Sequence, residues 1–226
     1  MAIPRNPIDP RSGRRRPGRP PSLTAPVIAD AVIRVGFDDL TVAAVAEELK
    51  VNTATLYRYV SGRSELIAMG VDRILSRLEW PAPAEDWRAY LEANAWTLWR
   101  TLSAHRGLAT VFLTAYHASE HVVRHVDEVV RVLIGLGFTP EDAVLAMDMV
   151  FDLASDAVQA GEKVAAPAPE GSVRESMAAD WDSLLSAEVR PAVASMFTAS
   201  PETWFDRKLG IVLTGIAATL GPDRAP

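Results

Sequence analysis

The side chains best suited to binding an anion lie close together near residue 55. Thr53, Thr55, Tyr57, Arg58 and Tyr59 carry hydroxyl or guanidinium groups, which donate hydrogen bonds to phosphate oxygens and reach base edges in a major groove. A short helix beginning at Thr53 would present all five on its outward face. The chemistry that these residues offer is therefore recognition of a nucleic acid.

Two helices and a tight turn are predicted to hold these side chains in place. Thr41 is suited to cap a first helix, whose inward residues are Val42, Val45, Ala46 and Leu49. A turn at 50–52 separates it from the helix that starts at Thr53. Ala46 is small where the two helices cross, and Leu56 anchors the second helix. This is the geometry of a helix-turn-helix, although an ordinary αα-hairpin satisfies the same pattern.

The run from Val42 to Ile67, VAAVAEELKVNTATLYRYVSGRSELI, resembles the DNA-binding domain of TetR-type repressors. The family pattern is carried by Thr55, Leu56, Tyr57, Tyr59, Val60, Arg63 and the pair Leu66–Ile67. Much more weakly, residues 85–102 and the last helix resemble the effector domain of the tetracycline repressors. The resemblance predicts a dimeric, all-α DNA-binding regulator.

The resemblance also implies roles for individual residues. Thr41 and Tyr57 would clamp phosphates, with Tyr59 and Arg63 at the far end of the recognition helix. The base edges would meet Thr53, Ala54 and Thr55, with Ala54 against a thymine methyl group, and Arg58 could serve either purpose.

Lys50 occupies the turn position that the family usually gives to Gly. We therefore expect a positive φ at Lys50, at a cost of about 1 kcal/mol, with its ammonium group near a phosphate.

The charge distribution supports a nucleic-acid partner, although the net charge is −6 and the pI is near 5.3. Residues 1–63 sum to +4 and the remainder to −10. Such asymmetry is typical of a polyanion-binding end joined to an acidic body.

The basic end begins with a proline-rich arm, residues 1–21. Its cations include Arg14, Arg15, Arg16 and Arg19, and the sequence Gly18-Arg19-Pro20 resembles an AT-hook. Arginines of this kind enter narrow A/T-rich minor grooves. Contact with the minor groove or with phosphates is the favoured interpretation, and a passive disordered tail is the alternative.

Apolar spacing predicts helices throughout the rest of the chain. In the N-terminal part they lie at about 24–35, 42–49, 53–59 and 62–79, with Thr24 as a helix cap. Residues 87–102 are apolar on nearly every side, so this helix is predicted to run through the middle of a bundle. Further helices are expected near 106–116, 119–135, 140–160, 180–197 and 202–220, with a flexible loop at 162–172 (EKVAAPAPEGS).

The predicted fold class is therefore all-α. It comprises an N-terminal three-helix helix-turn-helix DNA-binding domain and a C-terminal helical bundle for effector binding and dimerisation. The expected boundaries are a disordered basic arm at 1–21, the DNA-binding domain at 22–70, and the ligand-binding and dimerisation domain at 71–226.

An effector pocket is predicted around Asn94, a polar residue among apolar neighbours that needs a partner if it is buried. The pocket residues would be Asn94, Leu98, Trp99, Phe112, Tyr116, His117, Met147 and Phe151. A mostly apolar wall with few polar groups is typical of small-molecule sites. A plain core fits each residue equally well and is the alternative.

Histidines and carboxylates that could bind a metal have simpler explanations. His117, His121 and His125 are one helical turn apart, but Ser119 is suited to start a helix after His117 and break the row. Asp148, Asp152 and Asp156 are interpreted as a solvated stripe. No metal site and no cofactor is predicted. The tetracycline-binding histidines of the family fall on Glu79 and Phe112 by rough alignment, so tetracycline is not expected as the ligand.

The dimer surface is predicted from the helices at 140–160 and 202–220, paired as a four-helix bundle. The candidate contacts are Val144, Met147, Phe151, Ala154, Val158, Trp204, Phe205, Leu209, Val212, Leu213 and Ile216, with Gly210 and Gly215 allowing close approach. Some of these residues must instead belong to the internal core.

The sequence thus predicts a cytoplasmic homodimeric regulator, a repressor that a small apolar or aromatic effector releases from a palindromic operator in double-stranded DNA. The alternative is a helical small-molecule-binding or adaptor protein without specific DNA binding. No catalytic residue is predicted, because no phosphate loop, nucleophile elbow or metalloprotease helix occurs. No apolar run is long enough for a membrane span, and the absence of cysteine fits a reducing compartment.

Overall fold

The chain folds into helices throughout the part that the structure describes. The structure is a computed structural model covering residues 23–115, 119–169 and 171–222, the side chains of 113–115 excepted. Those ranges contain eleven α-helices and no β-strand, which confirms the predicted fold class. The helices are α1 (Ala25–Val35), α2 (Val42–Glu48), α3 (Thr53–Leu56), α4 (Arg63–Leu75), α5 (Trp87–Ser103), α6 (Leu108–Ala115), α7 (Glu120–Gly135), α8 (Pro140–Ala165), α9 (Val173–Leu184), α10 (Arg190–Thr198) and α11 (Pro201–Thr219).

Helices α1 to α4 form a small N-terminal head. α1 has a proline in its first turn and ends at Gly36, whose φ of 86° is readily adopted only by glycine. Thr24 precedes α1 but makes no side-chain cap, contrary to expectation. α4 packs along α1, where Gly70 is so close to α1 that a Cβ atom at this position would lie 2.6 Å from Cγ1 of Val32.

Helix α5 is central to the body but is not buried on every side. It packs mainly against α8 and also contacts α6 and α11. Its inward residues include Tyr90, Leu91 and Leu98, all fully buried, whereas Glu92 and Arg100 are exposed. The prediction of a helix apolar all round therefore overstated its burial.

The C-terminal part differs from prediction in two places. The single helix expected at 180–197 is two helices, α9 and α10, because Pro191 in the first turn of α10 has no N–H to continue a preceding helix. The loop expected at 162–172 is shorter, because α8 continues to Ala165. Ser172 then starts α9 with a reciprocal hydrogen-bonded cap to Glu175.

Head and body share one continuous hydrophobic core. α4 carries the core across the boundary predicted at residue 70, since its later residues Val71, Ile74 and Leu75 are buried and α4 contacts both α6 and α7. At a second joint, the backbone N–H of Phe37 donates to the carbonyl of Arg106 (3.2 Å). Nε of Arg106 donates to Oδ2 of Asp38 (2.6 Å).

No helix among the described residues has the length and apolar character needed to cross a membrane.

Candidate functional site

The turn between α2 and α3 has the geometry of a helix-turn-helix. The N–H of Val51 donates to the carbonyl of Ala46 at 2.9 Å, and the side chains of Ala46 and Leu56 are buried where the helices meet. Lys50 has a φ of 55°, the one positive φ of a non-glycine residue in the described part of the chain. The left-handed conformation expected from the missing glycine is therefore present.

Side-chain caps fix the first residues of both helices. Oγ1 of Thr41 accepts from the N–H of Ala44 (3.0 Å) at the start of α2. Oδ1 of Asn52 accepts from the N–H of Thr55 (2.7 Å) and from the Thr55 hydroxyl (3.0 Å). Thr55 thus uses its hydroxyl hydrogen within the cap, which leaves its oxygen lone pairs to accept from a base.

The surface formed by the turn, α3 and the residues just after α3 is exposed and carries unpaired positive charge. The helix predicted at 53–59 ends at Leu56, so Tyr57, Arg58 and Tyr59 follow it. Tyr57 and Tyr59 are 56% and 45% exposed, and both are large side chains that a protein core would normally bury. Arg58 and Lys50 have no ion-pair partner among the described residues, whereas the nearby Arg34 is paired with Glu48. Positive side chains without an ion-pair partner among the described residues therefore lie in the turn (Lys50) and just after α3 (Arg58).

Arg63 has a structural task that the sequence did not indicate. It is the first residue of α4 rather than part of the recognition helix. Its Nε donates to the carbonyl of Leu40 (2.9 Å) and its Nη2 to that of Phe37 (3.4 Å). Two of its donor groups therefore hold the segment between α1 and α2. The predicted arginines of the arm, Arg14, Arg15, Arg16 and Arg19, lie outside the described residues.

The body contains a cavity of about 350 Å³ enclosed by α5, α6, α7, α8 and the segment before α5. Four of the predicted pocket residues line it: Leu98, Phe112, Met147 and Phe151. The remaining lining residues are Trp80, Val122, Val123, His125, Val126, Asp148, Asp152 and Ser155. The walls are mainly apolar and aromatic, as small-molecule sites require.

Two predicted pocket residues lie elsewhere, and two cannot be placed. Trp99 packs against Trp96 and Phe205, with ring centroids 5.4 and 5.7 Å away, and so joins α5 to α11 instead of lining the cavity. Asn94 is fully buried behind the wall and reaches the cavity only through His125. Tyr116 and His117 lie outside the described residues.

His125 is the most unusual residue of the cavity wall. It is 4% exposed, and its ring stacks on Trp80 with centroids 3.6 Å apart. Nδ2 of Asn94 donates to the carbonyl of Tyr90 (2.9 Å), so Oδ1 of Asn94 is left to accept from Nε2–H of His125 (2.8 Å). Nδ1 is then an acceptor, and it has no hydrogen-bond partner in the described part.

The electrostatic state of His125 follows from this burial. Burial lowers its pKa from 6.5 to about 4, because a charged imidazolium would lose its hydration. His125 is therefore neutral at pH 7. His121 lies 4.0 Å from Asp72 of α4, and no cluster of three metal-ligating side chains occurs among the described residues.

The sequence had signals for some of the residues that were missed. Ser155 follows Phe151 by one helical turn, and the same spacing relates Phe151 to Met147, so helical periodicity extends this face to Ser155. Asp148, Asp152 and Asp156 are exposed, as the predicted solvated stripe requires, and Asp148 and Asp152 also border the cavity. No sequence signal placed Trp80 on His125, because Trp80 lies in a segment without periodicity.

The predicted dimer faces of α8 and α11 are in large part internal. Met147, Ala154, Val158, Phe205, Leu209, Leu213 and Ile216 are buried within the chain. Other apolar residues on the same helices are exposed, namely Val144, Leu145, Met149 and Ile211. The inward faces of α8 and α11 are therefore buried within the chain itself, and only their outer faces are exposed to a second copy.

Both halves of the chain match known proteins. Residues 29–68 match the family described as bacterial regulatory proteins, tetR family, and residues 80–220 match the tetracyclin repressor-like C-terminal domain. The HTH-type transcriptional repressor DrrR1 of Streptomyces coeruleorubidus is 31% identical over 144 residues, which are 60% of this chain and 53% of DrrR1. The tetracycline repressor protein class C of Escherichia coli is 25% identical over 185 residues, which are 80% and 83% of the two chains.

A solved structure agrees in fold. ActR of Streptomyces coelicolor in complex with actinorhodin has a TM-score of 0.73 at 22% identity, covering 89% of this chain and 98% of that chain. The fold, the helix-turn-helix and the two family matches agree. The chain belongs to the TetR family and is a DNA-binding transcriptional regulator.

Proposed function

We propose that this regulator is a cytoplasmic repressor, which binds an operator as a homodimer and leaves it when a small molecule occupies the cavity of the body. The observation that carries this proposal is that one continuous core joins an exposed helix-turn-helix, on which Lys50 and Arg58 have no ion-pair partner among the described residues, to a body that contains a cavity. The names of relatives such as DrrR1 support the repressor role.

The DNA contacts are assigned to the turn and to α3. Lys50, Tyr57 and Tyr59 are exposed and can meet phosphates, while Thr53, Ala54 and Thr55 lie at the start of α3, where a recognition helix reads bases. Thr41 and Arg58 complete the surface. Arg63 contributes mainly by fixing the loop before α2, with its remaining Nη1 donor free to reach the backbone of DNA.

The basic arm adds a second, sequence-tolerant contact in this proposal. Arg14, Arg15, Arg16 and Arg19 would enter a minor groove or meet phosphates. Because each lost phosphate contact reduces the slope of log K against log salt by about 0.9, deletion of residues 1–21 is expected to weaken operator binding and to flatten its salt dependence. An unchanged slope would show that the arm is passive.

Dimerisation is assigned to the outer faces of α8 and α11. The exposed apolar side chains there, Val144, Leu145, Met149 and Ile211, would be covered by the same helices of a second copy. A single recognition helix reads only a few base pairs, and a symmetric dimer doubles the site.

The cavity reaches the head through α7 and α4. α7 supplies Val122, His125 and Val126 to the cavity wall. At the first residue before α7, the hydroxyl of Ser119 donates to Oδ1 of Asp72 on α4 (3.0 Å). A ligand that shifts α7 would therefore also shift α4, the helix that joins the head to the body. It favours release from DNA to the extent that it binds the released conformation more tightly than the DNA-binding conformation.

The test is a gel shift with DNA from upstream of the gene, using the unaltered protein and Tyr57→Ala/Arg58→Ala. The double variant should lose specific binding, because both side chains are exposed just after α3 and neither is part of the core. Arg131→Ala is the matched control, since Arg131 is exposed on α7 and paired only with Asp127. Equal binding by the double variant and the control would contradict the assigned surface.

A further inference from the structure

Among the described residues that line the cavity, the formal charge at pH 7 is entirely negative. Asp148 and Asp152 line it one helical turn apart on α8, and no lysine or arginine is among the described residues that line it. The other titratable lining group is His125, which is neutral at pH 7 because burial lowers its pKa to about 4. An anionic ligand would therefore meet repulsion without a compensating cation.

The two carboxylates lack counterions. Neither Asp148 nor Asp152 pairs with a basic side chain in the described part of the chain. The pKa of Asp152 is raised, first by burial and then by the charges of Asp148 and Asp156. A positive charge bound between Asp148 and Asp152 would relieve this repulsion.

A buried hydroxyl on the same helix also lacks a partner. Ser155 is 3% exposed, lines the cavity, and makes no hydrogen bond with any described residue. Its oxygen is not among the side-chain atoms that the described part of the protein seals from solvent without a partner, so it is open to the cavity. A polar group of a bound molecule can therefore form a hydrogen bond with Ser155.

Aromatic rings supply the rest of the wall. Trp80 and Phe151 are parallel to within 7°, with their centroids 6.1 Å apart, and Phe112 also lines the cavity. The face of an aromatic ring attracts a cation, and it also packs well against another flat aromatic ring.

We propose that the cavity takes a planar aromatic cation, an aromatic amine or ring ammonium whose charge faces Asp148 and Asp152. Its ring lies along the aromatic wall, and an N–H or O–H group of the molecule bonds the hydroxyl of Ser155. This assignment rests on the proposed function, in which the cavity is the effector site, and it narrows the effector to one charge class.

The test compares two probes that share a ring system and differ in charge. Binding of aminoacridine, a cation at neutral pH, and of acridine carboxylate, an anion, is measured by isothermal titration calorimetry on the full chain. Because partly exposed ion pairs contribute up to about 1 kcal/mol each, the cation should bind about fivefold or more tightly than the anion. Equal binding, tighter binding of the anion, or no binding of the cation would overturn the proposal.

Two variants locate the preference. Asp148→Asn/Asp152→Asn should abolish the difference between the probes, whereas Asp156→Asn should leave it intact, since Asp156 lies one turn beyond Asp152 and does not line the cavity. Circular dichroism confirms that each variant is folded. A preference that survives the double variant would place the cation elsewhere and refute the assignment.

The same protein preparation is tested for operator binding, which separates the two proposals. Operator binding without aminoacridine binding overturns the cation assignment and leaves the regulatory function standing. If the unaltered protein does not bind the operator specifically, the proposed function is contradicted, whether or not the probes bind.

Discussion

Acidification is expected to destabilise the fold through His125, well above the pH at which carboxylates titrate. The folded-state pKa of His125 is about 4, against an ordinary value of 6.5. Between these two values the unfolded chain binds a proton that the folded chain excludes. Stability contributed by the neutral imidazole is therefore fully present above pH 6.5 and is lost as the pH falls toward 4.

The size of this loss follows from the two pKa values. At pH 5 the unfolded imidazole is almost fully protonated, while the folded one is protonated in about one molecule in ten. The free energy of unfolding should therefore fall by about 2 kcal/mol between pH 7 and pH 5 on account of His125 alone. That is a large fraction of the stability of an ordinary domain.

Urea unfolding at pH 7 and pH 5 measures the loss, and His125→Gln is the comparison. A glutamine does not titrate, yet its amide can still donate to Oδ1 of Asn94, which accepts from His125 at 2.8 Å. The pKa of His105 is also lowered by burial, and its contribution is common to both proteins. An equal fall in stability for the unaltered protein and His125→Gln would refute the reasoning.

Three substitutions in the head have expected effects of different sign. Gly70→Ala should lower the free energy of unfolding by about 1–3 kcal/mol, because its Cβ would lie 2.6 Å from a side-chain atom of α1. Gly135→Ala is the control, since a Cβ atom at that position meets nothing within 4 Å. Equal urea midpoints for the two variants would contradict the prediction. Lys50→Gly should raise the free energy of unfolding by up to about 1 kcal/mol, because glycine adopts a φ of 55° without strain. If Lys50 contacts a phosphate, the same variant should also reduce the slope of log K against log salt by about 0.9 in a filter-binding titration. An unchanged slope would show that Lys50 does not contact DNA. Arg63→Ala should lower the free energy of unfolding by about 1–3 kcal/mol, since two carbonyls lose a charged donor. Arg58→Ala is the control and should change the free energy of unfolding by no more than about 0.5 kcal/mol. Equal melting temperatures of the two variants in thermal unfolding would show that Arg63 has no structural role.

The head was predictable because its constraints are local. The cap at Thr41, the small Ala46 and the positive φ at Lys50 each follow from neighbours in sequence, and all three occur in the structure. The structural role of Arg63 could not be predicted, because its partners, the carbonyls of Phe37 and Leu40, are more than twenty residues away and carry no side-chain signal.

The cavity was predictable only in part because its wall is assembled from distant segments. Periodicity identifies an inward face on α8, so Met147 and Phe151 were found. It does not say which inward face meets a cavity and which meets another helix, so Trp99 was assigned to the pocket although it packs on Phe205. Trp80 and His125 meet only in three dimensions.

The core that runs through α4 from head to body has a consequence for how the molecule comes apart. A fragment ending at residue 70 would cut α4 in its middle and expose the apolar residues that its second half buries, Val71, Ile74 and Leu75. We therefore expect that the head does not fold on its own and that it melts together with the body in a single cooperative transition. Heat or denaturant that loosens the effector-binding bundle will unfold the helix-turn-helix along with it.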